Sequence, residues 1–325
     1  MKRFTTFNVV LVTLLSIHTV FATTIVSFEQ HLQLGQQQLQ SGQVNLALDT
    51  LLIAYQQVQS DHPESARKQQ ASVMAALGEA NVRAQHFTKA EEWLNKSNQF
   101  AQTLSDPYLS ATIFNRFGLL YATQNNPAEA LKKYNEALSY AQQTSDTALI
   151  ASSYINVSKY QQGPTAQLLI QAYQLARKLA DNSIKRKLLL AIGYQAHQKQ
   201  QTMLANQAFR EVLQLKPSTR QQAEALGYLG GLYLQQERIS EALTLTRQAI
   251  VADNSPDLLI KWEQQHAQLL QKKGQRKQAI QAYRRAVVHI ESIRRDIPIF
   301  YQDGKSSFKE TLAPIYMGLV DLLLQ

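Results

Sequence analysis

The sequence predicts an all-α chain of stacked helical hairpins, and three observations carry that prediction. One spacing recurs along the chain: a small residue, Ala twelve positions later, an apolar or aromatic residue four on, and usually a small residue three after that. Composition favours helix, with only 12 Gly and 8 Pro in 325 residues and abundant Ala, Leu and Gln. Prolines fall where helices should stop: Pro63, Pro107, Pro217, Pro256 and Pro298 between proposed units, Pro127 and Pro164 in turns within units. Pro314 alone lies inside a proposed helix, where it predicts a kink.

In chain order, residues 1–22 read as a secretory signal. Lys2 and Arg3 give a positive start, Val9 to Phe21 is an apolar run, and Val20-Phe21-Ala22 offers a cleavage site. The run is shorter than the roughly 20 apolar residues of a spanning helix, so a mature chain starting near Thr23, in the periplasm or outside the cell, is expected. There is no cysteine, which excludes disulfides, thiolate metal sites and a cysteine nucleophile in this polypeptide.

The repeated units follow over 23–295. Six copies fit: Gly35, Ala47, Leu51, Ala54; Gly78, Ala90, Leu94, Ser97; Gly118, Ala130, Tyr134, Ala137; Gly193, Ala205, Phe209, Val212; Gly230, Ala242, Thr246, Ala249; and Ala267, Ala279, Tyr283, Ala286. A seventh, with Leu169, Tyr173 and Ala176, has a shortened turn at Gly163-Pro164 and no small residue in the first slot. The spacing predicts antiparallel helices that approach where the first small residue faces the Ala, with the third and fourth positions packing on the next hairpin. Each unit leaves an apolar face open, so stability requires stacked neighbours.

From Ala111 to Gln143 the residues Phe117-Gly118, Tyr121, Ala130, Tyr134 and Ala137 occupy the L-G, Y, A, F and A slots of the tetratricopeptide repeat, and the chain resembles that family over roughly Phe28 to Arg295. The resemblance implies a right-handed superhelix of about seven repeats. Two features depart from the family pattern. The Ala-slot steps run from 36 to 43 residues, beyond the family's usual 34, and its leading Trp occurs only as Trp262. The resemblance further implies a concave groove for protein or peptide segments, lined here by Glu79, Arg83, Asn115, Arg116, Tyr194, Tyr228 and Lys261. The Lys and Asn, four apart, with which some members clamp a C-terminal carboxylate are found on no first helix.

Charge is uneven. The formal +9 becomes +7 once Lys2 and Arg3 leave, and Lys261 to Lys309 holds eleven basic against four acidic residues. Arg284, Arg285, Arg294 and Arg295 are its candidate basic surface for an acidic partner or an anionic layer. Nucleic acid is not expected, because basic and aromatic residues do not interleave as in single-strand binders. The seven His are too scattered for metal-ligand pairs, and no H-E-x-x-H, phosphate loop or G-x-S-x-G occurs, so no catalytic residue, metal or cofactor is expected. Gly227-Tyr-Leu-Gly230-Gly231 reads as close helix packing.

Residues 296–325 form a connector with a terminal helix. Ser307 with Glu310 is a capping-box start, and Leu312, Ile315, Tyr316, Leu319 and Leu322 recur at helical spacing as a docking face without a partner. From Trp262 to Gln325 the chain resembles the connector between tetratricopeptide repeats and the CHAT domain of bacterial CHAT proteins. The matching features are Ala279 to Ala286, Ile293-Arg-Arg-Asp296, Tyr301 to Phe308, Ile315-Tyr316 and Asp321-Leu-Leu-Leu324. The CHAT domain, a caspase-like fold whose peptidases use His and Cys, is absent from this sequence. The expected function is an exported interaction scaffold without catalysis. The alternative is the sensing half of a split or truncated CHAT-type protease, with a separately encoded CHAT protein as its partner.

Overall fold

A computed structural model describes residues 27–59, 64–163, 166–293, 301–302, 305–306 and 312–324. The signal segment, Ser307, Glu310, Arg294, Arg295 and the prolines at 63, 164 and 298 lie outside the described residues.

Fourteen helices pair into seven hairpins: α1 (Phe28–Gln40) with α2 (Val44–Gln59), α3 (Glu64–Arg83) with α4 (Phe87–Leu104), α5 (Pro107–Thr123) with α6 (Pro127–Ala141), and α7 (Thr147–Tyr160) with α8 (Ala166–Lys178). They continue as α9 (Ser183–Gln198) with α10 (Thr202–Gln214), α11 (Thr219–Gln235) with α12 (Ile239–Ala252), and α13 (Pro256–Lys272) with α14 (Arg276–Ser292). A two-residue ladder, Tyr301–Gln302 against Lys305–Ser306, precedes a last helix, α15 (Ala313–Leu324).

Starts and turns explain these boundaries. Asp106, Asp146, Asn182 and Ser218 accept a backbone N–H from the third residue of the helix they open, replacing a bond that the first turn cannot make internally. Pro107, Pro127 and Pro256 sit in first turns, where a missing N–H costs nothing. Inside six of the seven hairpins the turn is the same: the N–H of Gln43, His86, Asn126, Gln201, Arg238 or Gln275 reaches back five residues to a carbonyl. The residue before each has a positive φ: Gly42, Gln85, Asn125, Gln200, Glu237 and Gly274. The Ala slot follows that residue by five positions in all six.

Packing adds to one expectation about the repeat. A Cβ on Gly118 would stand 2.5 Å from the Tyr134 ring and one on Gly193 2.6 Å from Phe209, so the third slot packs back on the glycine of its own hairpin as well as on the next, where Tyr134 stacks on Tyr160 and Phe209 on Tyr228 with ring centres 5.5 Å apart. The Ala carbonyl lies beside this contact, 3.3 Å from the same point at Gly230. Ser97, in the fourth slot, likewise turns inward and donates to the Ala71 carbonyl of the partner helix at 2.6 Å. The Gly227 to Gly231 run packs as expected, with Gly227 against the Trp262 indole.

The C-terminal helix differs from its expected form in two ways. It begins at Ala313, which places Pro314 in the first turn, where no kink is required. Its Leu312, Ile315 and Leu322 are not an unpartnered docking face: they are buried on α14, with Tyr316 and Leu319 packed alongside. Gly318 admits the Tyr283 ring, and Arg276 donates twice to the Leu322 carbonyl at 2.7 and 3.0 Å, tying down the helix end.

Candidate functional site

First helices from the two ends of the array line a channel of about 1200 Å³. Its walls come from α1 and α3 at one end of the array and from α9, α11 and α13 at the other, so the solenoid bends far enough to bring its ends to one cavity. The charged lining comprises Glu79 and Arg83 from one end and Lys187, Arg220, Glu224 and Asp257 from the other.

These charges are largely spoken for. Glu79 accepts from Arg83 Nη2 at 2.9 Å and from Arg116 Nε at 3.2 Å. Burial opposes its ionisation, but Arg116 and Arg83 outweigh that cost and hold its carboxyl below the ordinary range. Arg220 meets Asp257 with both terminal nitrogens, at 3.2 and 2.5 Å, and that bond lowers the Asp257 pKa. Glu224 runs the other way: burial pushes its carboxyl up, only partly offset by Arg220 and Lys261.

The seven groove candidates separate into three sets. Glu79 and Arg83 line the channel, but Arg116 spends its guanidinium on Glu79. Asn115 bridges first helices, donating to Ser153 at 3.2 Å and accepting from Asn156 at 2.9 Å. Tyr194, Tyr228 and Lys261 line a second, more polar cavity of about 240 Å³, with His197, Trp262 and Gln265. There Tyr194 and Tyr228 have ring centres 5.4 Å apart, and Tyr228 meets Trp262 edge-on at 5.2 Å. Burial, then the nearby Glu224, pushes the Tyr228 phenol up to about 12. Two buried polar atoms of this cavity's lining, His197 Nδ1 and Trp262 Nε1, have no hydrogen-bond partner among the described residues.

Sequence reasoning missed Lys187, Arg220, Glu224, Asp257 and Trp262 as lining residues. A signal was present. Arg220 and Asp257 are separated by 37 residues, the local repeat length, and so occupy equivalent positions in successive first helices, while Tyr194, Tyr228 and Trp262 recur every 34 residues, just under one helical turn short of the repeat at each step.

One of the four candidate basic residues is already paired. Arg285 is committed to Glu263 through two hydrogen bonds, at 2.7 and 2.8 Å, and Glu263 is almost fully buried. Arg284 is exposed, while Arg294 and Arg295 lie outside the described residues. Among the described residues no group of three His, Asp or Glu is placed to hold a metal ion, and no helix is long and apolar enough to cross a membrane.

The family model described as tetratricopeptide repeat matches residues 264–287, within the last hairpin. The fold is a tetratricopeptide-repeat solenoid. It is similar to that of a signal transduction ATPase with numerous domains (STAND) that carries a tetratricopeptide repeat sensor, from Pyrococcus horikoshii. The identity there is 14%, with a TM-score of 0.57 over 82% of this chain and 42% of that one. This chain therefore spans less than half the length of that protein. The Cut9–Hcn1 hetero-tetramer of APC/C gives a TM-score of 0.54 at 17% identity, over 83% of this chain and 49% of that one. The apo form of RapI gives 0.53 at 13% identity, over 82% and 99%. No curated protein matches the chain in sequence.

Proposed function

We propose that this tetratricopeptide-repeat solenoid is an exported interaction scaffold that holds an extended peptide or protein segment in its channel. The observation that carries the reading is the channel itself: about 1200 Å³, walled by first helices, with the aromatic and amide-rich cavity at Tyr228 and Trp262 further along α9, α11 and α13. Because Arg220 pairs with Asp257 and Glu79 with two arginines, the walls present little net charge. The preferred segment is therefore polar and of low net charge, held by main-chain hydrogen bonds and by packing on the tyrosines. Export rests on the N-terminal signal pattern and is tested by N-terminal sequencing of the chain from a periplasmic fraction; an intact Met1 to Ala22 there sinks it.

The channel reading is tested by selecting peptides from a random 12-residue display library on the immobilised chain, then measuring their affinity by fluorescence anisotropy. Tyr228→Ala and Asp257→Ala should each weaken selected peptides about 10-fold or more, as losing a well-buried contact does, while Arg284→Gln leaves them unchanged. Peptides that bind both channel variants like the unsubstituted chain refute the reading.

A second reading makes these repeats the sensor of a separately encoded CHAT-type effector. It draws support from the Pyrococcus horikoshii protein, whose repeats are the sensor of a larger ATPase. It requires that the full chain enrich a CHAT-domain protein from an envelope extract. Recovery of none would discard it.

A further inference from the structure

The outward faces of the array's two ends are apolar, which a solenoid normally avoids by ending in polar capping faces. Of the fifteen large apolar residues exposed among the described residues, eight lie on α1, α2 and α15. On α15 they form one stripe. Met317, Val320 and Leu324 recur at three and four residues, on the side opposite the Ile315 and Leu322 pair buried on α14. At the other end, Leu34 on α1 and Leu46 and Ile53 on α2 are 43 to 51% exposed. Leu46 and Ile53, seven residues apart, stand on the side of α2 opposite Tyr55, whose ring packs on Trp93 of the next hairpin. They therefore face away from the rest of the array.

The two ends also differ in charge. Residues 27–59 contain Glu29 and Asp49 and neither Lys nor Arg, whereas residues 261–293 contain seven Lys and Arg against two Glu. Around the α15 stripe, α14 exposes Lys277 and Arg284, and the end of α13 and the turn after it expose Lys272 and Lys273. Asp321 is the one acid of α15. An apolar, acidic head thus complements an apolar, basic tail on the same chain.

We propose that the chain associates head to tail with a second copy, the outer face of the α1–α2 hairpin of one seating on the Met317, Val320 and Leu324 stripe of the next. The contact continues the stacking order of the solenoid, since α15 lies against α14 where the first helix of an eighth repeat would lie. It is heterologous, so it uses different surfaces on the two copies and propagates beyond a dimer. Six large side chains make a small interface, and a dissociation constant on the order of 10–100 µM is expected.

Sedimentation velocity of the full chain across that concentration range, at low and high salt, tests the proposal. The expected result is association that grows past a dimer with concentration and weakens with salt. Ile53→Asp on the head and Val320→Asp on the tail alter residues that are 45% and 46% exposed, so both variants should keep their helical circular dichroism and melting point. Each alone should be monomeric. Mixed in equal amounts they share one intact head and one intact tail, and should give a dimer and nothing larger. Leu46→Asp and Leu324→Asp repeat the design should either first variant fold poorly. An unsubstituted chain that stays monomeric overturns the proposal. So does a head variant that associates like the unsubstituted chain, or a mixture of variants that stays monomeric.

Discussion

Gln85, Gln200 and Glu237 hold the left-handed backbone that Gly42, Gly274 and Asn125 hold in the sister turns, with φ of 62°, 58° and 57°. A Cβ in that region costs roughly 1–2 kcal/mol, against which glycine loses some unfolded-state entropy. Each of Gln85→Gly, Gln200→Gly and Glu237→Gly should therefore stabilise the chain by about 0.5–1 kcal/mol, read as a higher urea midpoint at constant slope. The glycines under aromatic rings behave oppositely. Gly193→Ala pushes a methyl into the Phe209 ring and should cost roughly 1–3 kcal/mol by the same measurement. Glu79 sets a pH dependence of known sign. Its pKa is lowered on folding, so its ionisation stabilises the protein above the ordinary value of 4.5, and that gain disappears as pH falls through the lowered value. Melting points between pH 6 and pH 3 should fall less steeply in Glu79→Gln than in the unsubstituted chain; equal slopes count against the Arg116 and Arg83 pairing as its cause.

At the scale of elements, the hairpins were legible because one geometric need, a small residue where two helices touch, forces one spacing. The Ala slot marks each turn because it follows the left-handed residue by a fixed five positions. The last helix was harder to read. Ala313 to Leu324 is apolar almost all round, so periodicity cannot say which face is covered. The stripe read as open proved to be the one against Tyr283 and Ile290. Burial of Leu312, Ile315 and Leu322 contributes about 1.5–3 kcal/mol per side chain. A chain ending at Ile293 should accordingly lose protection of α14 amides in hydrogen exchange while α3 to α6 stay unchanged. The site was legible only in part. Tyr194, Tyr228 and Lys261 came from the family pattern, but Glu79 and Arg116, 37 residues apart, were read as two contacts for a ligand when they are one contact with each other.

Across the whole molecule, each hairpin packs on its neighbours, while the channel, among the described residues, draws its lining from both ends. Ligand in that channel adds a connection that the chain does not make for itself, so a selected peptide should raise the melting temperature of the terminal hairpins more than a nearest-neighbour array predicts. The paired charges of the wall carry a second expectation: peptide affinity should change little between 50 and 500 mM salt, unlike head-to-tail association, which should weaken. One salt titration read by both anisotropy and sedimentation separates the two.

The bend that brings α1 and α3 to the same cavity as α9, α11 and α13 acts like the jaws of a caliper. Jaw opening is the accumulated rotation of every joint between them, and the fourth hairpin, with Gly163-Pro164 in its turn, is the joint midway. A small repacking there, far from any bound segment, is multiplied by the length of the arms. Substitutions that repack the fourth hairpin should therefore change which segments the channel accepts.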